Sequence, residues 1–247
     1  DQEGLERTRL QLAQSGPIAK AVSKCLEMIP QMSLDSQRTV VDELNTALRM
    51  STGFATRAAT ADAVSSLCAT SPNAFRHQPG IGCMYPAVQL LRAFYHAAER
   101  ERGAAAKDKM IHALGSLSAL CPGQSVRALA LRACTKYNKS TGSNHDAETR
   151  KASAATLRAI SVRASNQLVD GGESNIWCRF VLPVAYLGKK DTDSKIAQLW
   201  SEVWSEGGSA VATSRDNLVG CHGTSLEEKL LPFIVLECQR ALNDVSW

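Results

Sequence analysis

Side chains equipped for catalysis or metal ligation are sparse in this chain of 247 residues. Asn144-His145-Asp146 sets an imidazole beside a carboxylate, the combination used for proton transfer. Gly123-Gln-Ser125 has the opening of a nucleophile elbow, but the second glycine is missing and no strand leads into it. Cys221 and His222 form the nearest Cys/His couple. Adjacent side chains seldom converge on one ion, and the eight cysteines contain no C-x-x-C pair, so zinc is not expected. Gly80-Ile-Gly82 lacks the strand and helix start that give a glycine fingerprint meaning, and no P-loop is present. His96 and His112 fall inside helical patterns, where packing or solvation accounts for a lone imidazole. The expectation is a chain with no catalytic residue, no metal, no cofactor and no small-molecule substrate. Asn144 to Asp146 then reads as a loop ending in an N-cap for a helix over residues 147–164.

Charge is the remaining resource. The net charge is +4, too mild to argue for nucleic acid by itself. It is uneven, however: from Arg92 to Lys139 there are nine Lys/Arg against three Asp/Glu. Arg100, Arg102, Lys109, Arg132, Lys136 and Lys139 are the candidates for an exposed partner surface, while Lys107 has the pattern of an internal position. A solvated flank explains such a run most simply. A docking stripe for an acidic protein tail is the sharper reading, because basic surfaces steer such partners. The stripe contains Tyr95 and Tyr137 but no regular alternation of basic and aromatic residues, so nucleic acid ranks third.

The elements that must carry these residues are helical. The chain holds 34 Ala and 26 Leu against 13 aromatics, and Ala and Leu lead the helix scale. With 44% hydrophobic and 21% charged residues it is not a disordered composition. The longest apolar stretch, Phe180 to Leu187, covers eight residues where a membrane span needs about 20. Ile18, Ala21, Val22, Cys25, Leu26 and Ile29 make one helical stripe behind Pro17, and Val40, Val41, Leu44, Ala47 and Leu48 make another behind a capping cluster at Ser33, Asp35 and Ser36. Cys25, Cys68, Cys134 and Cys238 fall on apolar faces, which points to reduced thiols and a reducing compartment. The chain begins at Asp1 without Met and ends on Trp247, as expected of a piece of a longer protein.

Repetition organises the helices. Counting +3, +4, +7 and +10 from a basic residue gives Thr60, Ala61, Val64 and Leu67 after Arg57. The same count gives Met110, Ile111, Leu114 and Leu117 after Lys107, and Ser153, Ala154, Leu157 and Ile160 after Arg150. Ala63 to Pro72 and Ala113 to Pro122 share a tail in register. The anchors lie 50 and 43 residues apart, near the roughly 40–47-residue period of helix-pair solenoids. Partner helices are predicted at about 86–100, 124–138, 175–188 and 225–242, with connections at 71–85, 138–144, 166–174 and 206–224. Pro183 and Pro232 are expected to kink or start helices. This predicts an all-α fold, a HEAT-type α-solenoid of about five to six helix pairs running through residues 1–247. In such stacks the anchor cations bond within the stack. Trp200 and Trp204, one turn apart, are expected in the core between repeats.

Several segments carry a family resemblance: Ser51 to Arg57 leading into Ala61 to Cys68, Ala106 to Gly115, Val181 to Gly188, Leu199 to Trp204, and Ala241 to Trp247. Together they resemble, in order over about residues 35–247, a C-terminal part of the proteasome adaptor and scaffold family of HEAT-repeat proteins. Residues 1–34 hold no motif that can be placed, and 206–224 is a point of departure. The resemblance implies a long solenoid that binds regulatory and core particle subunits of the proteasome, in cytoplasm and nucleus. It also implies tethering and assembly quality control, with no catalytic residues. Other HEAT scaffolds, of the nuclear-transport or tubulin-cofactor kind, share the architecture and are the alternatives, along with a nucleic-acid-binding solenoid.

Overall fold

A computed structural model describes residues 24–50, 54–76, 86–101, 103–140, 147–168, 176–213 and 226–244. A helical stretch over 24–28 runs into a 3-10 turn at Ile29–Gln31. There follow α1 (Leu34–Met50), α2 (Phe54–Thr70), α3 (Pro86–Arg100), α4 (Ala104–Ser118), α5 (Gly123–Ser140), α6 (Ala147–Ala164), α7 (Leu182–Gly188), α8 (Ser194–Thr213) and α9 (Leu226–Asp244). Among the described residues there is no strand. No described helix is long and apolar enough to cross a membrane.

Consecutive helices pair as hairpins: α1 with α2, α3 with α4, α5 with α6, and α7 with α8. The second helices of the pairs form one continuous layer, α2 on α4, α4 on α6 and α6 on α8. In the other layer α1 lies on α3, while α5 and α7 lie against α9. The fold is therefore an all-α solenoid in which each hairpin buries its apolar side on its neighbours. Every position counted from the three anchors is buried: Thr60, Ala61, Val64 and Leu67; Met110, Ile111, Leu114 and Leu117; Ser153, Ala154, Leu157 and Ile160. These are the residues at which α2, α4 and α6 meet.

Local chemistry sets the ends. Ser33 Oγ accepts from the Ser36 amide at 3.3 Å, satisfying a donor that α1 leaves open. Asp193 Oδ1 does the same for α8, accepting from the amides of Lys195 at 2.9 Å and Ile196 at 3.4 Å. Pro183 sits in the first turn of α7 and has no N–H to offer the carbonyl four residues earlier. Residues Trp177–Val181 ahead of it wind as a π-helix, with the Leu182 amide reaching back five residues to the Trp177 carbonyl. Pro232, in contrast, lies inside α9.

Three expectations need correcting. Residues 206–213, read as the start of a Gly/Ser-rich loop, continue α8. A Cβ at Gly207 would stand 2.7 Å from the Trp177 ring and 2.9 Å from Leu182, so this glycine is where the helix accepts an indole against its backbone. Residues 138–140 likewise extend α5 rather than open a connection. Cys25 is exposed, whereas Cys68 and Cys134 are buried and Cys238 is half-buried.

Candidate functional site

The three anchors do bond within the stack, and they bond in one direction. Arg57 near the start of α2 donates to Glu101 Oε2 at 2.5 Å. Lys107 on α4 reaches Glu148 Oε2 at 2.6 Å, and Arg150 on α6 reaches Asp191 Oδ2 at 3.1 Å. Each cation thus grips a carboxylate one repeat further along the chain, 44, 41 and 41 residues away. Just ahead of α8 stands Asp193, which caps that helix.

Burial differs from rung to rung. The Arg150 and Asp191 side chains are 7% and 3% exposed, and Asp191 also accepts from Tyr137 Oη at 2.9 Å. Burial and that bond to Asp191 push the Tyr137 phenol well above its ordinary range. Lys107 is buried, but its partner Glu148 is 74% exposed. The hydrogen bond from Lys107 holds the Glu148 carboxyl below its ordinary value of 4.5.

A second row of contacts runs along the same layer. Lys109 pairs with Asp62 at 2.5 Å, and Arg158 pairs with Glu202. Between them His112 joins three helices: Nδ1 lies 3.2 Å from Ser65 Oγ and Nε2 lies 2.9 Å from an Arg163 nitrogen. A guanidinium only donates, so Nε2 accepts and Nδ1 carries the proton toward Ser65. His112 is a structural bridge.

The basic candidates do not form one stripe. Lys109 belongs to the α4 layer, paired with α2, while Arg100, Arg132, Lys136 and Lys139 lie on α3 and α5 of the other. Arg102 lies outside the described residues. Arg132 and Lys136 do come together: the guanidinium carbon is 5.5 Å, and the ammonium 5.7 Å, from the Tyr95 ring centroid. Lys136 also pairs with Glu99. Below them a cavity of about 190 Å³ is lined by Tyr95, Glu99, Lys136, Thr149, Ala152 and Ser153. The buried Tyr95 Oη has no well-formed hydrogen bond among the described residues, and burial together with nearby Glu99 pushes the phenol up. Lys139 and Arg100 are exposed in the last turns of α5 and α3, where a cation complements the helix carbonyls.

A larger concave feature lies between α1, α2 and α3. This groove of about 650 Å³ has Arg49, Arg57, Arg92, His96 and Arg100 on its walls, with Glu101. Of these, only Arg100 is among the partner-surface candidates named from the sequence. The sequence reading missed Glu101, Glu148 and Asp191 as the mates of the anchors. Their near-constant distance from the anchors was the available signal.

Asn144-His145-Asp146, Cys221-His222 and Gly80-Ile-Gly82 lie outside the described residues. Ser125 sits in the first turn of α5 with its amide on the Pro122 carbonyl at 2.9 Å. Among the described residues no group of His, Cys, Asp and Glu is arranged to hold a metal. Trp200 is buried edge-on to Tyr137, with centroids 4.7 Å apart, while Trp204 is only half-buried and packs at a tilt against Tyr186 under the Lys189 ammonium.

A two-layer stack whose anchor cations each reach to the next repeat, with a cationic groove and no assembled reaction centre among the described residues, has the form of a scaffold. The family model for the HEAT-repeat domain of the proteasome adapter and scaffold protein ECM29 matches residues 1–138, more than half of the chain. The chain belongs to the ECM29 HEAT-repeat family. The matched segment includes residues 1–34, where no motif had been placed, and it ends within α5. Beyond it the Arg150–Asp191 rung and the α6–α8 packing carry the same architecture onward. Among curated proteins nothing matches, and among solved structures nothing matches. For an ECM29-type repeat array, the all-helical fold and the family together point to a non-catalytic protein.

Proposed function

We propose that this chain is a proteasome-binding scaffold segment, which helps hold regulatory and core particles together or monitors their assembly. The match to the ECM29 HEAT-repeat domain over residues 1–138 carries this reading. Its mechanism is surface and shape. Stacked hairpins present extended faces, and small rotations between neighbouring repeats let those faces follow a partner that changes state. The segment performs no catalysis and takes no small-molecule substrate or cofactor. It works in the cytoplasm and the nucleus, the compartments that a tethering role requires.

Affinity capture of the full-length protein tests this reading. Proteasome subunits of both particles should co-purify, and deletion of these 247 residues should lower their recovery or misplace the tagged protein. Undiminished recovery and unchanged distribution after the deletion would count against a docking role for the segment.

A further inference from the structure

The second and third hairpins are joined differently in the two layers. In one layer α4 meets α6 at close range. A Cβ on Gly115 would stand 3.0 Å from the Ala159 carbonyl oxygen and 3.1 Å from the Ala159 Cβ. Met110, Leu114, Leu157 and Ile160 are fully buried on the same two helices. In the other layer α1 packs on α3, but α3 and α5 are not packed helix on helix. Side chains span that gap instead. Lys136 on α5 reaches Glu99 on α3, whose carboxylate also lies 3.5 Å from His96 Nδ1. Arg132 and Lys136 lie over the Tyr95 ring. The cavity of about 190 Å³ opens here, lined from α6 by Thr149, Ala152 and Ser153.

Five of its six lining side chains are polar: a phenol, a carboxylate, an ammonium and two hydroxyls. Tyr95 is 3% exposed, and its Oη has no well-formed hydrogen bond among the described residues. A buried hydroxyl left unpaired is costly. A polar cavity that offers two to four partners holds water, and one water needs only about 10–15 Å³ of accessible cavity. We propose that ordered waters fill this cavity, satisfy Tyr95 Oη, and make the α3–α5 junction a hydrated joint at which the second and third hairpins rock about the Gly115–Ala159 contact. Water-bridged groups keep nearly the enthalpy of direct hydrogen bonds, so the wet side can widen by admitting molecules. The close-packed α4–α6 side has no such freedom and serves as the pivot. An anionic guest is opposed by Glu99, and an apolar one by the five polar groups.

The inference is independent of what the scaffold binds, because its test uses the full chain alone. A high-resolution crystal structure should show water within hydrogen-bonding distance of Tyr95 Oη. For the motion, pairs of nitroxide labels are read by double electron–electron resonance in a background of Cys25→Ser, Cys83→Ser, Cys221→Ser and Cys238→Ser. Arg100→Cys with Thr135→Cys reports on α3 and α5. Ala119→Cys, just past α4, with Val162→Cys reports on α4 and α6, and all four labelled positions are exposed. The distance distribution should be broader for the first pair than for the second. Sucrose, which is excluded from protein surfaces, should shift the first distribution to shorter distances and leave the second unchanged. Circular dichroism at 222 nm checks that each labelled variant is folded. The proposal is overturned by any of three results: Tyr95 Oη bonded to a protein group with no water beside it, a first distribution no broader than the second, or a first distribution that sucrose does not shorten.

Discussion

Replacing Asp191 by Asn removes one charge from the most buried rung and leaves the shape almost unchanged. Asp191 is 3% exposed and Arg150 is 7% exposed, so the guanidinium left behind has little water to turn to. A further hydrogen bond, to the Ser140 carbonyl at 3.2 Å, brings no charge to neutralise it. Removing one partner of a buried pair costs about 3–5 kcal/mol. For a chain of this size that lowers Tm by roughly 6–20 °C, at about 2–4 °C per kcal/mol. Glu148→Gln is the internal comparison: Glu148 is 74% exposed, and water can solvate the Lys107 ammonium from that side. That exposed rung should cost about 1 kcal/mol or less. The assay is urea and thermal unfolding followed at 222 nm, with tryptophan fluorescence as a second probe, because Trp200 packs on Tyr137 beside the broken rung. In a stack coupled only between neighbours, the two probes should separate in Asp191→Asn, as the last hairpin loosens first. Arg150→Met combined with Asp191→Leu should recover much of the loss, since removing both charges is often neutral. A loss in Asp191→Asn no larger than that in Glu148→Gln refutes the burial argument.

Further consequences follow from packing and titration. Gly188→Ala places a Cβ 2.4 Å from the Trp200 ring, so the last turn of α7 must back away from α8; a cost of about 1–3 kcal/mol is expected by denaturant unfolding. Glu148 has its folded carboxyl value held below 4.5 by the bond from Lys107, so its contribution is present above that pH and is lost as pH falls through the lowered value. Acid titration of stability should therefore bring wild type and Glu148→Gln together at the low end, and a constant gap would contradict the pairing. Burial pushes the Cys68 and Cys121 thiols up to about 12 and Cys178 up to about 11, whereas Cys25 is exposed. Iodoacetamide at pH 8, read by peptide mass spectrometry, should label Cys25 first, and the three buried thiols should react only on unfolding.

The helices and their stacking order were legible because the same four positions after each anchor had to be apolar or small. Thr60 and Ser153 show why size mattered as much as hydrophobicity: both are buried where α2 and α6 meet neighbouring helices. The ion-pair mates were less visible. Glu101, Glu148 and Asp191 sit before or at the start of the next second helix, where an acidic residue also reads as a cap. Gly207 misled because a Gly-Gly pair signals a loop, while the space it leaves is filled by Trp177 from the π-turn that leads into its hairpin partner α7. The basic stripe mixed two layers, since nearness along the chain from Arg92 to Lys139 crosses from α3 to α4 to α5. The groove was hidden for the opposite reason: Arg49 and Arg100 are far apart in sequence and meet only when α1 packs on α3.

The central claim is that this segment touches the proteasome. Cross-linking mass spectrometry of the full-length protein on assembled proteasomes tests it most directly, using lysines on both layers, such as exposed Lys109 and Lys139, as reporters. The account predicts cross-links from this segment to proteasome subunits, concentrated on one face of the stack. Abundant cross-links elsewhere in the full-length protein, with none from these residues, would contradict it.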